Sequence, residues 1–416
     1  MRGEIVFSFY GDDFTGSTDA LEALSVNGVP SVLFLRPPNA SDLCKFSGCR
    51  AVGIAGESRS RPPEWMRREL PAIFECLRQI GAPLVQYKVC STFDSSPDTG
   101  SIGCAIEIGQ QVFHNRSVAV VPAAPLLGRH VVFGNLFATG ADGMYRIDRH
   151  PSMRSHPITP MDESDLRIHL GRQTSRRVAG VNLLDLRDGS FQWPDADVVL
   201  FDGLEPLDLA ETARLISEHR EAPQTFVVGS SGFTYGLMDY WRVEGEVGAS
   251  ACATDRLLVL AGSCSQATEA QIRTAMRDGF HGIRLNPVDA DFAVAAEDAI
   301  GQLTTGRSVI LYSALGAGDC IQIIDRPSLS ARMGKLLRRI IEASGVTRVV
   351  VAGGDTSTYA ARELGITALT FAAPLTRGAP LCRAHGWPGE LEMVLKGGQI
   401  GSERFFEEVL DYGGAP

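Results

Sequence analysis

The chain has 416 residues, of which 44% are hydrophobic and 21% are charged, and its formal net charge at pH 7 is −10. The composition is typical of a folded globular protein, and the length exceeds the roughly 100–200 residues of one ordinary domain. The negative charge argues against nucleic acid or an anionic membrane as a partner, because phosphate groups need a positive footprint. A small anionic substrate stays compatible with it, since that needs only a local basic pocket.

The nine cysteines are scattered, without a C-x-x-C pair or a metal-like Cys/His spacing. We therefore expect reduced thiols in a cytoplasmic protein. The first residues, MRGEIVFSFYGDD, end a short apolar run in acids, which predicts neither a signal peptide nor a lipidation site. No window approaches the roughly 18 apolar residues of a membrane span.

The N-terminal half predicts strands that alternate with helices. The segment EIVFSFY predicts the first strand, and STDALEALSVNG predicts a helix that ends at Gly28. Further apolar runs, each followed by a turn residue, predict strands in SVLFL, AVGIAG, LVQYKV, SVAVVPA, DVVLFDG and TFVVGSSG. This order predicts a parallel sheet covered by helices on both faces.

Residues 243–255, VEGEVGASACATD, are small and polar without periodicity, which is typical of a connector between domains. A second series follows in RLLVLAGSCS, SQATEAQIRTAMRDG, GIRLN, SVILYSA, LSARMGKLLRRIIEASG and RVVVAGGDTS. The sequence therefore predicts two α/β domains, 1–242 and 252–416, each with a largely parallel sheet flanked by helices. We expect the active site in the cleft between them.

Polar residues follow the predicted strands of the first domain, at the ends where open parallel sheets bind ligands. Asp12 and Asp13 come directly after the first strand, Arg59 follows AVGIAG, and Lys88 leads into CSTFDSS. Basic and hydroxyl groups together favour a small, hydroxylated anion as ligand. The alternative is structural: the acids would be a helix cap and a solvated turn residue, and Arg59 would be a surface residue.

Three glycine-rich turns mark the second domain: Gly262 to Ser265 in AGSCS, Gly353 to Ser357 in GGDTS, and Lys396 to Gly401 in KGGQIG. Glycines let the backbone approach an anion, and helix N-termini and hydroxyls supply donors, so the turns favour a phosphate cradle. No G-x-x-x-x-G-K-[ST] loop is present. The alternative is a set of tight turns with an Asp or Thr cap.

The segment GAGD, Gly316–Asp319, matches the anion-hole signature of ribokinase-type sugar kinases, in which the Asp is the base. That signature needs a helix to begin at the turn, whereas the apolar run CIQII follows here. We expect a loop or hairpin between two strands, with the catalytic interpretation as the lesser alternative.

Taken in order, GDDFTGSTD, SRSRP, YKVCSTFDSS, PAAPLLGR, GSCS followed by TEAQ, GGDTS and the terminal K-x-G block resemble the motifs of the four-carbon acid sugar kinases. The C-S-T-F-D-S form is similar to that of the 3-oxo-tetronate kinase branch. The resemblance implies an ATP- and Mg²⁺-dependent kinase that phosphorylates the terminal 4-hydroxyl of a four-carbon sugar acid such as 3-oxo-tetronate.

The resemblance also implies that the N-terminal domain holds the sugar acid and the C-terminal domain holds ATP. The substrate contacts carried over are Asp12, Arg59, Lys88, Val89, Cys90 and Ser91. The ATP contacts carried over are Ser263, Gly353, Gly354, Asp355, Thr356 and Gly398. Two loops depart from the family pattern, at Gly100–Gly103 and at Lys396–Gly401, and they leave the substrate open.

Phosphoryl transfer needs positioning, charge neutralisation and a group that accepts the hydroxyl proton. We predict that Asp13 is the base and Asp12 a substrate ligand, since two close carboxylates raise the pKa of one of them. Arg59 and Lys88 would anchor the substrate carboxylate. The alternatives are a kinase for threonate, erythronate or another small polyol acid, or a non-catalytic sensor of sugar acid and nucleotide. The metal ligands and a homo-oligomeric assembly stay open.

Overall fold

The structure is a computed structural model, and it describes residues 4–140, 142–156, 158–189, 191–219, 221–243, 251–289, 291–319 and 326–413. These residues form two compact units. The N-terminal unit runs to residue 243, and the C-terminal unit comprises the residues from 251 together with Leu33–Leu35. Most of the predicted connector, 244–250, lies outside the described residues, so the boundaries at 242 and 252 stay predictions.

The N-terminal unit is built on a parallel sheet. The strands of this unit are β1 Phe7–Gly11, β2 Ser31–Phe34, β3 Ala51–Ala55, β4 Leu84–Lys88, β5 Val118–Val121, β6 Arg129–Val132, β7 Asn135–Gly140, β8 Gly143–Arg146, β9 Val178–Val181, β10 Val198–Phe201 and β11 Thr225–Gly229. In the sheet, β2 and β3 are followed by β1, β4, β11, β5, β10 and β9. From β3 onward every neighbouring pair is parallel. Gly11 therefore lies opposite Ala55 and Lys88, and the carboxyl ends of three strands meet at one edge.

Helices cover this sheet and bury it on both faces, which explains the nearly continuous apolar runs of its strands. The helices are α1 Phe14–Ser25, α2 Ala40–Lys45, α3 Pro63–Ile80, α4 Ile102–Phe113, α5 Leu166–Gly171, α6 Leu183–Arg187, α7 Pro206–Glu218 and α8 Ser231–Trp241. Helix α3 shows why they form: Met66, Leu70, Phe74 and Leu77 are buried at helical spacing. It ends at Gly81, whose φ of 84° only glycine adopts without strain.

Strands β6, β7 and β8 form a separate antiparallel sheet, which the sequence did not predict. Its first turn consists of Phe133 and Gly134, both with positive φ, as a type I′ hairpin requires. The backbone N–H groups of both residues donate to the carboxylate of Asp202, at 2.5 and 2.8 Å. A residue from a distant strand thus stabilises this turn, so local sequence carries little signal for it.

The C-terminal unit is a second α/β arrangement. Its strands are β12 Leu258–Ala261, β13 His281–Arg284, β14 Val309–Tyr312, β15 Arg348–Ala352, β16 Ala368–Thr376, β17 Ala379–His385 and β18 Glu392–Lys396, and its helices are α9 Gln266–Arg277, α10 Ala293–Thr304, α11 Arg326–Ser344, α12 Gly354–Glu363 and α13 Phe405–Asp411. Strands β13, β14, β12, β15 and β18 are parallel in that order. Strands β17 and β16 continue the sheet in antiparallel fashion.

The predicted fold class is confirmed: both units are α/β, with largely parallel sheets flanked by helices. Strands β9 and β16–β18 were not predicted. The segment GAGD ends in a short 3-10 turn, Ala317–Asp319, and the apolar run CIQII that follows it, 320–324, lies outside the described residues. Within the described part of the chain, no helix has both the length and the apolar character needed to cross a membrane.

Candidate active site

Arg59 joins the two adjacent acids at the carboxyl edge of the N-terminal sheet. It lies in the short 3-10 turn Ser58–Ser60 that follows β3, next to the end of β1. Its Nε and Nη2 donate to Asp12 at 3.2 and 2.7 Å, and its Nη1 and Nη2 donate to Asp13, both at 2.9 Å. The predicted residues Asp12, Asp13 and Arg59 therefore form one charged cluster.

Asp13 also caps helix α1. Its Oδ1 accepts from the Gly16 N–H at 2.7 Å, and its Oδ2 accepts from the Thr15 hydroxyl at 2.6 Å. With the two bonds from Arg59, the carboxylate accepts four hydrogen bonds, about as many as an ionised carboxylate has lone-pair sites. Asp13 has no capacity left for a further donor.

Asp12 is less engaged. Among the described residues, its carboxylate accepts two bonds, both from Arg59, so each of its oxygens can still accept another donor. Burial raises the pKa of Asp12 to about 6; the charge of Arg59 opposes the rise and that of Asp13 adds to it. A raised pKa in one of the two acids agrees with our expectation, although burial rather than the neighbouring charge is the largest cause.

Lys88, at the end of β4, faces a different acid. Its Nζ lies 3.3 Å from Asp19 Oδ2, and both side chains are buried. Burial alone would lower the pKa of Lys88, but Asp19 and its neighbours raise it above the usual value, so the ammonium stays charged. Gly16 packs against this group: a Cβ there would lie 2.8 Å from Lys88 Nζ and 2.6 Å from Asp13 Oδ1.

Of the residues after Lys88, Val89 lies in the core, whereas Cys90 and Ser91 lie beside the candidate site. The Val89 side chain is fully buried, and its N–H donates to the Gly229 carbonyl at 2.9 Å, so Val89 belongs to the sheet. Cys90 and Ser91 are half-buried, and the Cys90 Sγ lies 2.9 Å from the Thr92 hydroxyl. Thr92 in turn donates to Asp94 at 2.6 Å.

Asp94 is a fourth carboxylate of this region, which sequence reasoning missed. Burial would raise its pKa, but Arg59, His156 and the bond from Thr92 outweigh burial and lower it. Phe93, which directly precedes Asp94, is buried and has a φ of 57°, a strained conformation for an aromatic residue. Backbone strain of this kind concentrates at functional sites, where surrounding contacts hold it in place.

In the C-terminal unit, the three predicted glycine turns come together. A Cβ on Gly398 would lie 2.4 Å from Ser263 Oγ, and one on Gly353 would lie 3.2 Å from the Ser263 backbone nitrogen. A Cβ on Gly262 would lie 2.0 Å from Thr356 Oγ1. The glycines thus let three backbone turns approach one another, as a phosphate cradle requires.

Helix N-termini point donors at this cradle. Gly353, with a φ of 124°, is the N-cap of α12, so Gly354, Asp355 and Thr356 form the first turn of that helix. The side chain of Asp355 lies outside the described part of the structure. Ser265 caps α9 and also donates to the Gly398 carbonyl, as does Thr268 at 2.9 Å. The two helix ends and the loop at Gly398 are therefore tied together.

Lys396, which was not among the predicted contacts, lies at the base of the cradle. Its Nζ donates to Thr268 Oγ1 at 3.2 Å and to the Gly397 carbonyl at 3.0 Å, and it has no carboxylate partner among the described residues. Burial lowers the pKa of Lys396 to about 7. A buried ammonium without a counter-ion fits a site for an anion.

Two known domain families match this chain, one in each of its two units. Residues 7–237 match the family described as a sugar-binding N-terminal domain, and residues 258–406 match a nucleotide-binding C-terminal domain. A 3-oxo-isoapionate kinase from Paraburkholderia graminis is 44% identical, covering 98% of this chain and 94% of that protein. A 3-oxo-tetronate kinase from Methylobacterium radiotolerans is 29% identical, covering 96% and 97%.

Solved structures show the same fold. A Salmonella typhimurium protein of 26% identity superimposes with a TM-score of 0.80, covering 97% of this chain and 98% of that one. A Haemophilus influenzae protein of 21% identity gives a TM-score of 0.72, covering 98% and 100%. Since both halves match and relatives named as sugar-acid kinases span nearly its whole length, the chain belongs to the four-carbon acid sugar kinase family and is a phosphotransferase.

Proposed function

We propose that the protein transfers the γ-phosphoryl group of ATP to the terminal hydroxyl of a 3-oxo sugar acid. In this proposal residues 1–242 hold the sugar acid and residues 252–416 hold ATP. The observation that carries it is the cluster of Asp12, Asp13 and Arg59, in which one buried carboxylate keeps capacity for a substrate hydroxyl. That is the geometry expected of a general base.

Asp12 suits the role of base better than Asp13. The four hydrogen bonds on Asp13 hold it as a helix cap and as the second partner of Arg59. Asp12, with its raised pKa of about 6, would accept the proton of the terminal hydroxyl while the hydroxyl oxygen attacks the γ-phosphorus. The bond from that phosphorus to the β–γ bridging oxygen breaks, and ADP leaves with it.

The cradle of the C-terminal unit fits a triphosphate. The backbone near Ser263, the first turn of α12 after Gly353 and the loop at Gly398 would supply N–H and hydroxyl donors, and Lys396 would supply positive charge. Among the described residues, no group of three or more His, Cys, Asp or Glu side chains could hold a metal ion. This is compatible with Mg²⁺ that arrives bound to the phosphates of ATP, since Mg²⁺ usually binds to substrate phosphates and only one or two protein carboxylates.

For the substrate we favour 3-oxo-isoapionate over 3-oxo-tetronate. The basis is the identity of 44% to a kinase named for the first, against 28–29% to kinases named for the second. The departures of Gly100–Gly103 and Lys396–Gly401 from the family pattern are compatible with a substrate other than 3-oxo-tetronate. Threonate, erythronate and glycerate remain in the test as alternatives.

A coupled assay of ADP release tests the proposal directly. The protein is mixed with ATP, Mg²⁺ and each of 3-oxo-isoapionate, 3-oxo-tetronate, threonate, erythronate and glycerate, the oxo acids being made fresh because β-keto acids lose CO₂. We expect the highest kcat/KM with 3-oxo-isoapionate. Turnover that is highest with 3-oxo-tetronate would overturn the substrate choice alone. No ADP release with any acid would overturn the kinase and favour the sensor.

A further inference from the structure

The cationic groups expected to anchor the substrate carboxylate are already paired. Among the described residues, the Arg59 side chain donates to Asp12 and Asp13, and Lys88 pairs with Asp19. With Asp94, four carboxylates surround two cations. A sugar acid would add another negative charge to a region that already has an excess of them, so its carboxylate needs a further cation.

Arg129 is a half-buried arginine without an acidic partner among the described residues. It begins β6, directly after the 3-10 turn Pro125–Leu127, which follows the carboxyl end of β5. Its Nη1 donates to the Leu127 carbonyl, whereas its Nε is buried and has no hydrogen-bond partner. Burying a guanidinium donor in this way costs free energy unless a ligand satisfies it.

The side of Arg129 that lacks partners is the one that other arginines of this chain present to carboxylates. In Arg146, Arg167 and Arg187, the Nε and Nη2 atoms donate to the two oxygens of one Asp. Arg59 uses the same pair of atoms on Asp12. In Arg129 no hydrogen bond occupies either atom within the described residues. The geometry is that of a two-pronged carboxylate site.

Arg129 also lies near Lys88 to Ser91, the segment expected to contact the substrate. Strand β5 is separated from β4 only by β11, so the turn that carries Arg129 follows the same edge of the sheet as Lys88 and Cys90. Burial lowers the pKa of Arg129, and Cys90 is close enough that its thiolate form would oppose that effect. His150 also lies close enough to Arg129 for the positive charge of the guanidinium to lower the pKa of its imidazole.

We propose that Arg129 binds the carboxylate of the sugar acid through its Nε and Nη2 atoms. This inference rests on the proposed function and names the group that makes the enzyme specific for acids. It reassigns Arg59 and Lys88: Arg59 orients the pair of acids, and Lys88 holds Asp19. A neutral sugar with the same ketone and terminal hydroxyl would gain nothing from Arg129.

Arg129→Gln and Arg129→Lys test the assignment, with Arg146→Gln as the matched control because Arg146 lies in the same small sheet and is paired with Asp148. We expect Arg129→Gln to raise KM for the acid about 10- to 100-fold, as for loss of a charged hydrogen-bonded pair. The KM for ATP and the melting temperature should stay near those of the wild type. Arg129→Lys should fall between Gln and wild type.

Dihydroxyacetone provides the second readout, because it is the neutral ketone that loss of CO₂ from 3-oxo-tetronate leaves. The wild type should prefer 3-oxo-tetronate strongly, and Arg129→Gln should lose most of that preference without losing activity on dihydroxyacetone. A purely structural role would weaken both substrates alike. Unchanged acid preference in Arg129→Gln, or an equal loss in Arg146→Gln, would overturn the inference.

Calorimetric binding of 3-oxo-tetronate and 3-oxo-isoapionate without ATP separates the two proposals. If the wild type binds an acid but releases no ADP, the proposed kinase reaction fails while Arg129 is still tested, since Arg129→Gln must then lose the binding. If the wild type releases ADP and Arg129→Gln binds the acid as tightly as the wild type, only the role of Arg129 fails. If the wild type binds neither acid, both proposals fail.

Discussion

The two candidate sites handle charge in opposite ways. In the N-terminal unit, Arg59 is bound to two carboxylates and Lys88 to a third, so each cation is already paired with acids of the protein itself. In the C-terminal unit, glycines and hydroxyls form the site, and the buried cation at that site, Lys396, has no carboxylate partner in the part of the chain that the structure describes. A cluster whose cations are already paired suits a neutral hydroxyl that must lose a proton, whereas a cation without a carboxylate partner suits phosphate.

The largest effect that would test this contrast is expected from Asp12. We expect Asp12→Asn to lower kcat about 10²- to 10⁴-fold, because the base is lost. Asp13→Asn should lower kcat less than about tenfold, since Asn can also accept from the Gly16 N–H as a helix cap. Steady-state kinetics with melting temperatures would check both. A greater loss of kcat in Asp13→Asn would return the base to Asp13.

Substitutions at Gly16 and Gly398 would test whether the N-terminal unit binds the sugar acid and the C-terminal unit binds ATP. In Gly16→Ala the new Cβ would approach Lys88 and Asp13, and in Gly398→Ala it would approach Ser263. A clash of this kind costs about 1–3 kcal/mol, which corresponds to roughly a 5- to 100-fold rise in KM. We expect Gly16→Ala to raise KM for the sugar acid and Gly398→Ala to raise KM for ATP.

Gly171→Ala in α5 and Gly301→Ala in α10 are the matched controls, because a Cβ at either position meets no atom within 4 Å. Both should leave the two KM values unchanged, and each favours its helix slightly, since alanine is the better helix former. If Gly16→Ala raised KM for ATP alone, or Gly398→Ala raised KM for the acid alone, the division of ligands between the units would be wrong.

The pH dependence of kcat/KM should report Asp12. Its pKa of about 6 lies in the range where activity can be measured, and only the ionised form can accept the hydroxyl proton. We expect kcat/KM to fall about tenfold per pH unit below pH 6 and to level off above it. Asp12→Asn should lose this limb of the profile; its persistence would mean that another group titrates.

The smallest expected effect concerns Lys396 and stability. Its folded pKa of about 7 lies below the usual 10.5, so the folded chain binds this proton more weakly than the unfolded chain. The free energy of unfolding should therefore rise with pH between these values, and the cost of burying the charge is full below pH 7. The melting temperature of Lys396→Met minus that of wild type should be more positive at pH 7 than at pH 10. An equal difference at both would refute the buried charge.

The positions of β1–β5 and β10–β15 followed from the sequence because buried parallel strands are short apolar runs that end in turn residues. Strands β6–β9 and β16–β18 did not. The charge pairing did not follow. Arg59 meets Asp12 and Asp13 from 47 and 46 positions away, and only the register of β3 against β1 brings them together. Asp13 accepts from the Gly16 N–H as the cap of α1, and the presence of two adjacent acids in the sequence does not show which of them is the cap.

Other features of the structure could not be predicted from the sequence, because the residues that determine them are distant in the chain or leave no sequence pattern. The turn at Phe133 depends on Asp202, and the Nε of Arg129, which has no hydrogen-bond partner among the described residues, shows this only in the folded chain. The sequence places Lys396 in a glycine-rich turn but does not single it out as a contact of ATP. Its burial and the lack of a carboxylate partner among the described residues, which make it a phosphate candidate, are properties of the fold.

The central claim is that this protein moves a phosphoryl group from ATP to a 3-oxo sugar acid. Phosphorus NMR of the wild type with ATP, Mg²⁺ and fresh 3-oxo-isoapionate tests it most directly. We predict that the γ-phosphate signal of ATP is replaced by equal amounts of ADP and a phosphate monoester. Unchanged ATP, or inorganic phosphate without a monoester, would contradict the account.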